Sequence, residues 1–209
     1  MLPFLDVLII FLVLLTLSPF VFARIIERKR CKELLQTFGG KISLLGTLSF
    51  NFEGNAYAVS RVGVAGAYGR GGSYPVLWTY VKPTAKIILG HPSYKKFSNA
   101  SFLVAPKNET VRVGPREILV GSKDDRRIEA VKVAATDERF IHACECLFDR
   151  DYCCITVRSQ IHFLGGRPKQ KNVLEYTALS NDIYRNPELL KTCLRSVGEC
   201  ARALNLQFE

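Results

Sequence analysis

From Val7 to Ala23 the chain carries no charged side chain and almost every position is apolar, in the run VLIIFLVLLTLSPFVFA. With Leu2 to Leu5 ahead of it, and a helical rise of about 1.5 Å per residue, the stretch is long enough to cross a hydrocarbon layer of about 30 Å. The pattern then becomes amphipathic. Ile25, Ile26, Leu34, Leu35 and Phe38 fit one helix that continues the apolar run and stops at Gly39-Gly40. The expected organisation is a transmembrane anchor over residues 1–23, a basic juxtamembrane helix over 24–38 and a soluble domain over 39–209.

Beyond Gly40 the hydrophobic period falls to two. Leu48, Phe50 and Phe52 alternate with Ser49 and Asn51, Glu53-Gly54-Asn55 supplies a turn, and Tyr57 and Val59 alternate back, which predicts a β-hairpin with one buried face. Gly63 to Pro75 has no periodicity and reads as a mobile loop. Strand-like runs resume at Val76–Val81, Lys86–Leu89, Phe102–Val104, Thr110–Val113, Ile118–Val120 and Ile128–Val133, separated by Pro and Gly. Phe140, Ile141, Ala143, Cys144, Leu147 and Phe148 then return to helical spacing behind Thr136, the expected N-cap. Tyr152–Leu164 alternates again, Val173–Ala178 is a further strand, and Asn186-Pro187 opens a closing helix whose apolar face is Leu189, Leu190, Cys193, Leu194, Val197 and Ala201. Short spacings favour antiparallel neighbours. The predicted fold class is α+β: an N-terminal transmembrane helix, then a mainly antiparallel sheet with two helices packed on one face.

Charge gives this order an orientation. Arg24, Arg28, Lys29, Arg30 and Lys32 follow the apolar run, opposed only by Glu27. Such a collar resists translocation, so the soluble domain is expected on the cytoplasmic side of the cell membrane, behind a single pass. A cleavable signal peptide is the rival, since Val21-Phe22-Ala23 places small residues where a peptidase reads, and it would yield an exported domain. Against it, no Lys or Arg precedes the run, and Asp6 stands there instead.

The formal net charge is +10. A basic domain beside an anionic leaflet gains roughly 1 kcal/mol per cation held near the surface. Membrane lipids are therefore the expected partner and the five collar cations the expected contact, with a protein partner unidentified. Dispersed basic residues without a zinc-finger, helix-turn-helix or RNP pattern argue against nucleic acid.

Chemistry-bearing residues are few. The seven cysteines form no regular framework, as suits reduced thiols, although two N-x-S/T triplets, at Asn99 and Asn108, favour a lumenal or secreted location. His142, Cys144 and Cys146 lie close in sequence to Cys153 and Cys154, but Cys144 and Cys146 point to nearly opposite sides of a helix, and adjacent strand cysteines face opposite ways. Neither a metal nor a cofactor is implied. A thiol enzyme or redox protein would draw on Cys153 or Cys154 with His162 or His142. The alternative assignment is to buried small apolar residues. The glycine stretch lacks the Lys-Ser or Lys-Thr of a phosphate loop, and the carboxylate pairs Asp124-Asp125, Asp137-Glu138 and Asp149/Asp151 fit turns and caps.

Four segments carry a resemblance: the hairpin Phe50-Asn-Phe52-Glu-Gly54-Asn-Ala-Tyr57, the stretch Glu117-Ile-Leu-Val-Gly121-Ser-Lys-Asp-Asp125-Arg-Arg127, the strand and helix expected after it, and the closing leucine-rich helix. In these the chain resembles a group of uncharacterised bacterial proteins with a short membrane segment before a small α+β domain of unknown function. The resemblance implies architecture and location, and transfers no site. The leading functional expectation is a membrane-tethered binding or scaffold domain without a catalytic site.

Overall fold

A computed structural model describes residues 25–26, 28–29, 31–43, 46–64, 72–82, 87–91, 107–149, 153–164, 167–178, 181–184 and 186–207. The expected anchor, Arg24, Arg30, the glycine loop centred on Tyr68 and Arg70, the triplet at Asn99 and the strand expected at Phe102–Val104 lie outside the described residues. Among the described residues no helix is long and apolar enough to cross a membrane.

Among the described residues the fold is α+β, built on a nine-stranded antiparallel sheet. Its strands are β1 (Lys41–Ile42), β2 (Leu48–Phe52), β3 (Asn55–Val64), β4 (Gly72–Val81), β5 (Ile87–Gly90), β6 (Lys107–Val113), β7 (Arg116–Ser122), β8 (Cys154–Leu164) and β9 (Arg167–Thr177). Their spatial order is β1-β2-β3-β4-β9-β8-β5-β7-β6. The helices are α1 (described residues of 25–38), α2 (Asp125–Ala134), α3 (Glu138–Leu147) and α4 (Pro187–Leu206).

Alternation along each strand gives one continuous apolar face. A single cross-strand row runs Val59, Leu77, Tyr176, Ile155, Leu89, Val120, each paired in register with the next. That row and its neighbours share one core with residues from all four helices: Cys31 and Leu34, Ile128 and Val131, Phe140 and Leu147, and Leu190, Leu194 and Val197. Burying side chains of this size contributes about 1.5–3 kcal/mol each.

Sequence and structure differ at Ile128–Val133, expected as a strand and found inside α2. Val131 and Val133 gave the segment its β-branched, alternating look, but Ile128, Ala130, Val131 and Ala134 are the buried set while Val133 stays exposed, which is a helical stripe. Asp124 caps the helix by accepting from the Arg126 N–H at 3.1 Å. Three helices besides α1 thus pack on the core face, where two were expected. The N-cap of α3 is Asp137, whose carboxylate accepts from the Arg139 N–H at 2.8 Å, one residue after the expected Thr136. The first hairpin and the Asn186 cap of α4 fall where the sequence places them.

Two strand pairs are longer than their neighbours. β4 and β9 pair from Val76↔Thr177 to Val81↔Asn172, but β3–β4 continues to Val64↔Gly72 and β8–β9 to Leu164↔Arg167. Because β4 and β9 are antiparallel, the two hairpins project from opposite ends of the sheet.

Candidate membrane-contact surface

Helix α1 is bound to the sheet along its second half. The Cys31 thiol donates to the Gly46 carbonyl at 3.3 Å, and Leu34 enters the core. Phe38 meets Phe50 at 5.1 Å and Phe52 at 5.8 Å between ring centroids, the latter edge to face. The helix ends as its sequence implies. Gly39 adopts φ +68°, and its N–H closes on the Leu35 carbonyl at 2.8 Å. At Gly40, φ +104°, a side chain would drive into the Ser49 carbonyl and sit 2.8 Å from Phe50 Cβ, so the chain can turn into β1 only with glycine here.

The first half has a different character. Ile25 and Ile26 are 58% and 49% exposed, two of the four large hydrophobic side chains exposed among the described residues. Arg28, Lys29 and Lys32 are exposed in the next turns, while Cys31 and Leu34 are buried. One helix therefore presents unburied isoleucines, then cations, then a docked apolar stripe. Cys31 lies beside Gly46, before β2, and Phe38 lies beside Phe50 and Phe52, so α1 runs along β2 and begins at the end of the sheet where β2 begins. That end also holds the start of β8, because Ser60, Val76, Thr177 and Cys154 are consecutive neighbours across the sheet.

The residues of the expected thiol site are spread out. Cys153 is in the core, its sulfur 3.5 Å from the Tyr176 hydroxyl, which also donates to the Leu147 carbonyl at 2.9 Å. Cys154 is buried at a position of the opposite sheet face, in register with Thr177 and Gly90. His162 lies eight residues further along the same strand, about 26 Å from Cys154 at the usual rise, too far for a thiol–imidazole pair. The His142 side chain is 80% exposed on α3 beside Glu145. Cys144 and Cys200 are both fully buried between α3 and α4, and the hydrogen bond to Cys144, reinforced by burial, pushes the Cys200 thiol well above its ordinary range. Such a thiol is a poor nucleophile. None of the seven cysteines is in a disulfide, and Cys146 alone is not buried. Among the described residues no three His, Cys, Asp or Glu side chains gather as metal ligands.

The carboxylates have structural partners. Asp124 and Asp137 cap helices, and Asp149 pairs with Arg116 at 3.0 Å. A groove of about 480 Å³ beside the end of α1 includes Lys41, Ser49, Asn51, Trp78 and Tyr80 in its lining, with no carboxylate, imidazole or thiol among the lining residues.

Sequence reasoning missed one feature that the register makes plain. Arg158, Arg167, Lys169 and Lys171 stand far apart in any motif search but share one β8–β9 ribbon. The available signal was the absence of Asp and Glu between Asp151 and Glu175.

No protein-family model, no curated protein and no solved structure matches this chain.

Proposed function

We propose that this chain is a non-enzymatic, membrane-tethered domain that meets the lipid surface through the start of α1. The observation that carries the reading is the pair of exposed isoleucines, Ile25 and Ile26, followed directly by exposed Arg28, Lys29 and Lys32 on a helix whose far half is fixed to the core. Apolar side chains at the headgroup boundary with cations beside them are what an interfacial helix requires. Three cations near an anionic leaflet contribute roughly 3 kcal/mol in total. The docking of Cys31, Leu34 and Phe38 converts that local contact into an orientation of the whole sheet. Seven thiols with no regular spacing in the sequence agree with a reducing, cytosolic face.

The test uses the full chain reconstituted in phosphatidylcholine bilayers with and without phosphatidylserine. Ile26→Trp in a Trp78→Phe background is expected to be quenched by brominated acyl chains, more strongly with phosphatidylserine present. An unquenched tryptophan in both lipids overturns the contact. Topology is read separately: Cys146, the one thiol not buried, is expected to react with an impermeant maleimide only after cells are permeabilised. Full reaction in intact cells overturns the inward placement.

A further inference from the structure

The groove beside the end of α1 lies on the sheet face turned away from the helices. One cross-strand row on that face runs Lys41, Ser49, Ala58, Trp78, each in register with the next. The row beside it holds Asn51 and Ala56, also in register, and alternation sets Tyr80 next to Ala56, because Tyr57 pairs with Thr79. Two large rings therefore stand on β4 and a cation stands on β1, while β2 and β3 between them contribute only a hydroxyl, a carboxamide and methyl groups. That sequence of sizes makes a trough. Its volume of about 480 Å³ falls within the range of roughly 300–1,000 Å³ typical of small-molecule sites.

The two walls differ in chemistry. Trp78 is half-buried and Tyr80 is 37% exposed, and their rings meet edge to face, 5.6 Å between centroids and 77° between planes, an arrangement that aromatic pairs favour. Lys41, Ser49, Asn51 and Ala56 are all exposed. The backbones of β1 and β4 are three strand spacings, about 14 Å, apart. No carboxylate is among the described lining residues, and the first one in the Trp78 row, Glu175, is a strand beyond the ring. An occupant that uses both walls must carry a flat ring at one end and a negative charge at the other. Between them it needs polar groups for Ser49 and Asn51 to meet.

We infer that the trough binds a mononucleotide, its base against Trp78 and Tyr80, its sugar over Ser49, Asn51 and Ala56, and its phosphate at Lys41. Every base has a π face, so stacking on an aromatic wall does not depend on which base is bound, and a lysine holds phosphate as a point charge. A fatty acid has the charge without the flat face, and a neutral sugar leaves Lys41 unused. A longer nucleic-acid strand calls for several cations along its path, and Lys41 is the one cation among the described lining residues. The inference is independent of the membrane reading, since none of these residues belongs to the exposed start of α1.

The full chain, in a mild nonionic detergent, is titrated with adenosine monophosphate while the fluorescence of Trp78, the sole tryptophan, is followed. Saturable quenching is expected. Lys41→Gln is expected to weaken binding of the monophosphate about fivefold, as the loss of one exposed ion pair does, and to leave adenosine binding unchanged. Tyr80→Ala is expected to weaken both about tenfold. Ala56→Leu fills the floor at an exposed position and is expected to abolish the quenching in a chain whose urea unfolding is unchanged. Absence of saturable quenching overturns the inference, as does a Lys41→Gln loss that adenosine shares equally. Ribose phosphate or glucose phosphate competing as strongly as the nucleotide overturns the stacked base. An oligodeoxyadenylate that binds far more tightly than the monophosphate, with the same response to Tyr80→Ala, overturns the mononucleotide in favour of a single strand.

Discussion

Gly198 lies in the interior of α4, where glycine ordinarily costs a helix about 1 kcal/mol relative to alanine. Its reason is Tyr57. The phenol reaches from β3 under the helix and donates to the Leu194 carbonyl at 2.9 Å, and a methyl group at position 198 would collide with that hydroxyl oxygen. The next atoms such a methyl would meet, Asn55 Nδ2 and Tyr57 Cζ, are both at 3.7 Å, an ordinary contact. The clash is therefore with one atom. In the natural chain, Gly198→Ala gains about 1 kcal/mol of helix propensity. It loses about 1 kcal/mol as the hydroxyl is pushed off its acceptor, and a further 1–3 kcal/mol to overpacking of a buried ring. The net is a destabilisation of about 1–3 kcal/mol, a fall in midpoint of roughly 3–9 °C for a domain of this size. Tyr57→Phe alone costs about 1 kcal/mol through the lost hydrogen bond. With the oxygen gone, Gly198→Ala should become stabilising by about 1 kcal/mol. Urea unfolding of all four chains, followed by fluorescence of Trp78, the sole tryptophan, measures the cycle. The expected coupling is about 2–4 kcal/mol, with a change of sign between backgrounds. An equal effect of Gly198→Ala with and without the hydroxyl would refute the packing account.

Burial pushes the Tyr57 phenol from 10.0 up to about 12. The folded state holds this proton more tightly than the unfolded chain, so the associated stability is complete below pH 10 and is lost as pH rises toward 12. Subtracting the alkaline stability profile of Tyr57→Phe from that of the natural chain should isolate this loss, and a flat difference would remove the buried phenol from the explanation. At the other end of α4, Asn186 Oδ1 accepts from the N–H groups of Glu188 and Leu189, each at 3.1 Å. Asn186→Ala is expected to cost about 1 kcal/mol in urea unfolding, and Asn186→Asp to retain most of that stability; equal losses from both would argue against the cap.

Where a segment faces the core, its sequence announces it. The alternation Leu48-Ser49-Phe50-Asn51-Phe52 is the alternation of buried and exposed positions in β2, and Asn186-Pro187 marks the start of α4 to the residue. The same logic explains what was hidden. β9 was expected to begin at Val173 and begins at Arg167, because Arg167-Pro-Lys-Gln-Lys171 carries no alternation of apolar and polar residues for the sequence to show. β4 likewise starts at Gly72, inside a stretch expected as a loop. The order β4-β9-β8-β5 joins strands distant in the chain, and no local pattern encodes such pairings. In α2, propensity and period pointed to a strand, while the Asp124 cap and the burial of Ile128 and Val131 against the core decided for a helix. The expected collar was legible in part: three of its five cations fall among the described residues and are exposed, but the docking of Cys31 and Leu34 that orients them depends on strands still to come in the chain.

A surplus of positive charge in a composition table does not say where a field acts; its partners do. On the helices and the shorter strands, cations are met by nearby anions: Lys132 by Glu109 and Glu129, Arg116 by Asp149, Lys191 by Glu188, Arg195 by Glu53 and Arg202 by Glu199. Exposed pairs of this kind contribute little to stability, about 0–1 kcal/mol each, but they cancel the field over the helical layer. In the sequence the cations without acidic neighbours lie elsewhere: residues 54–108 carry seven Lys and Arg and residues 158–171 four, neither stretch with an Asp or Glu, and the collar adds five against Glu27.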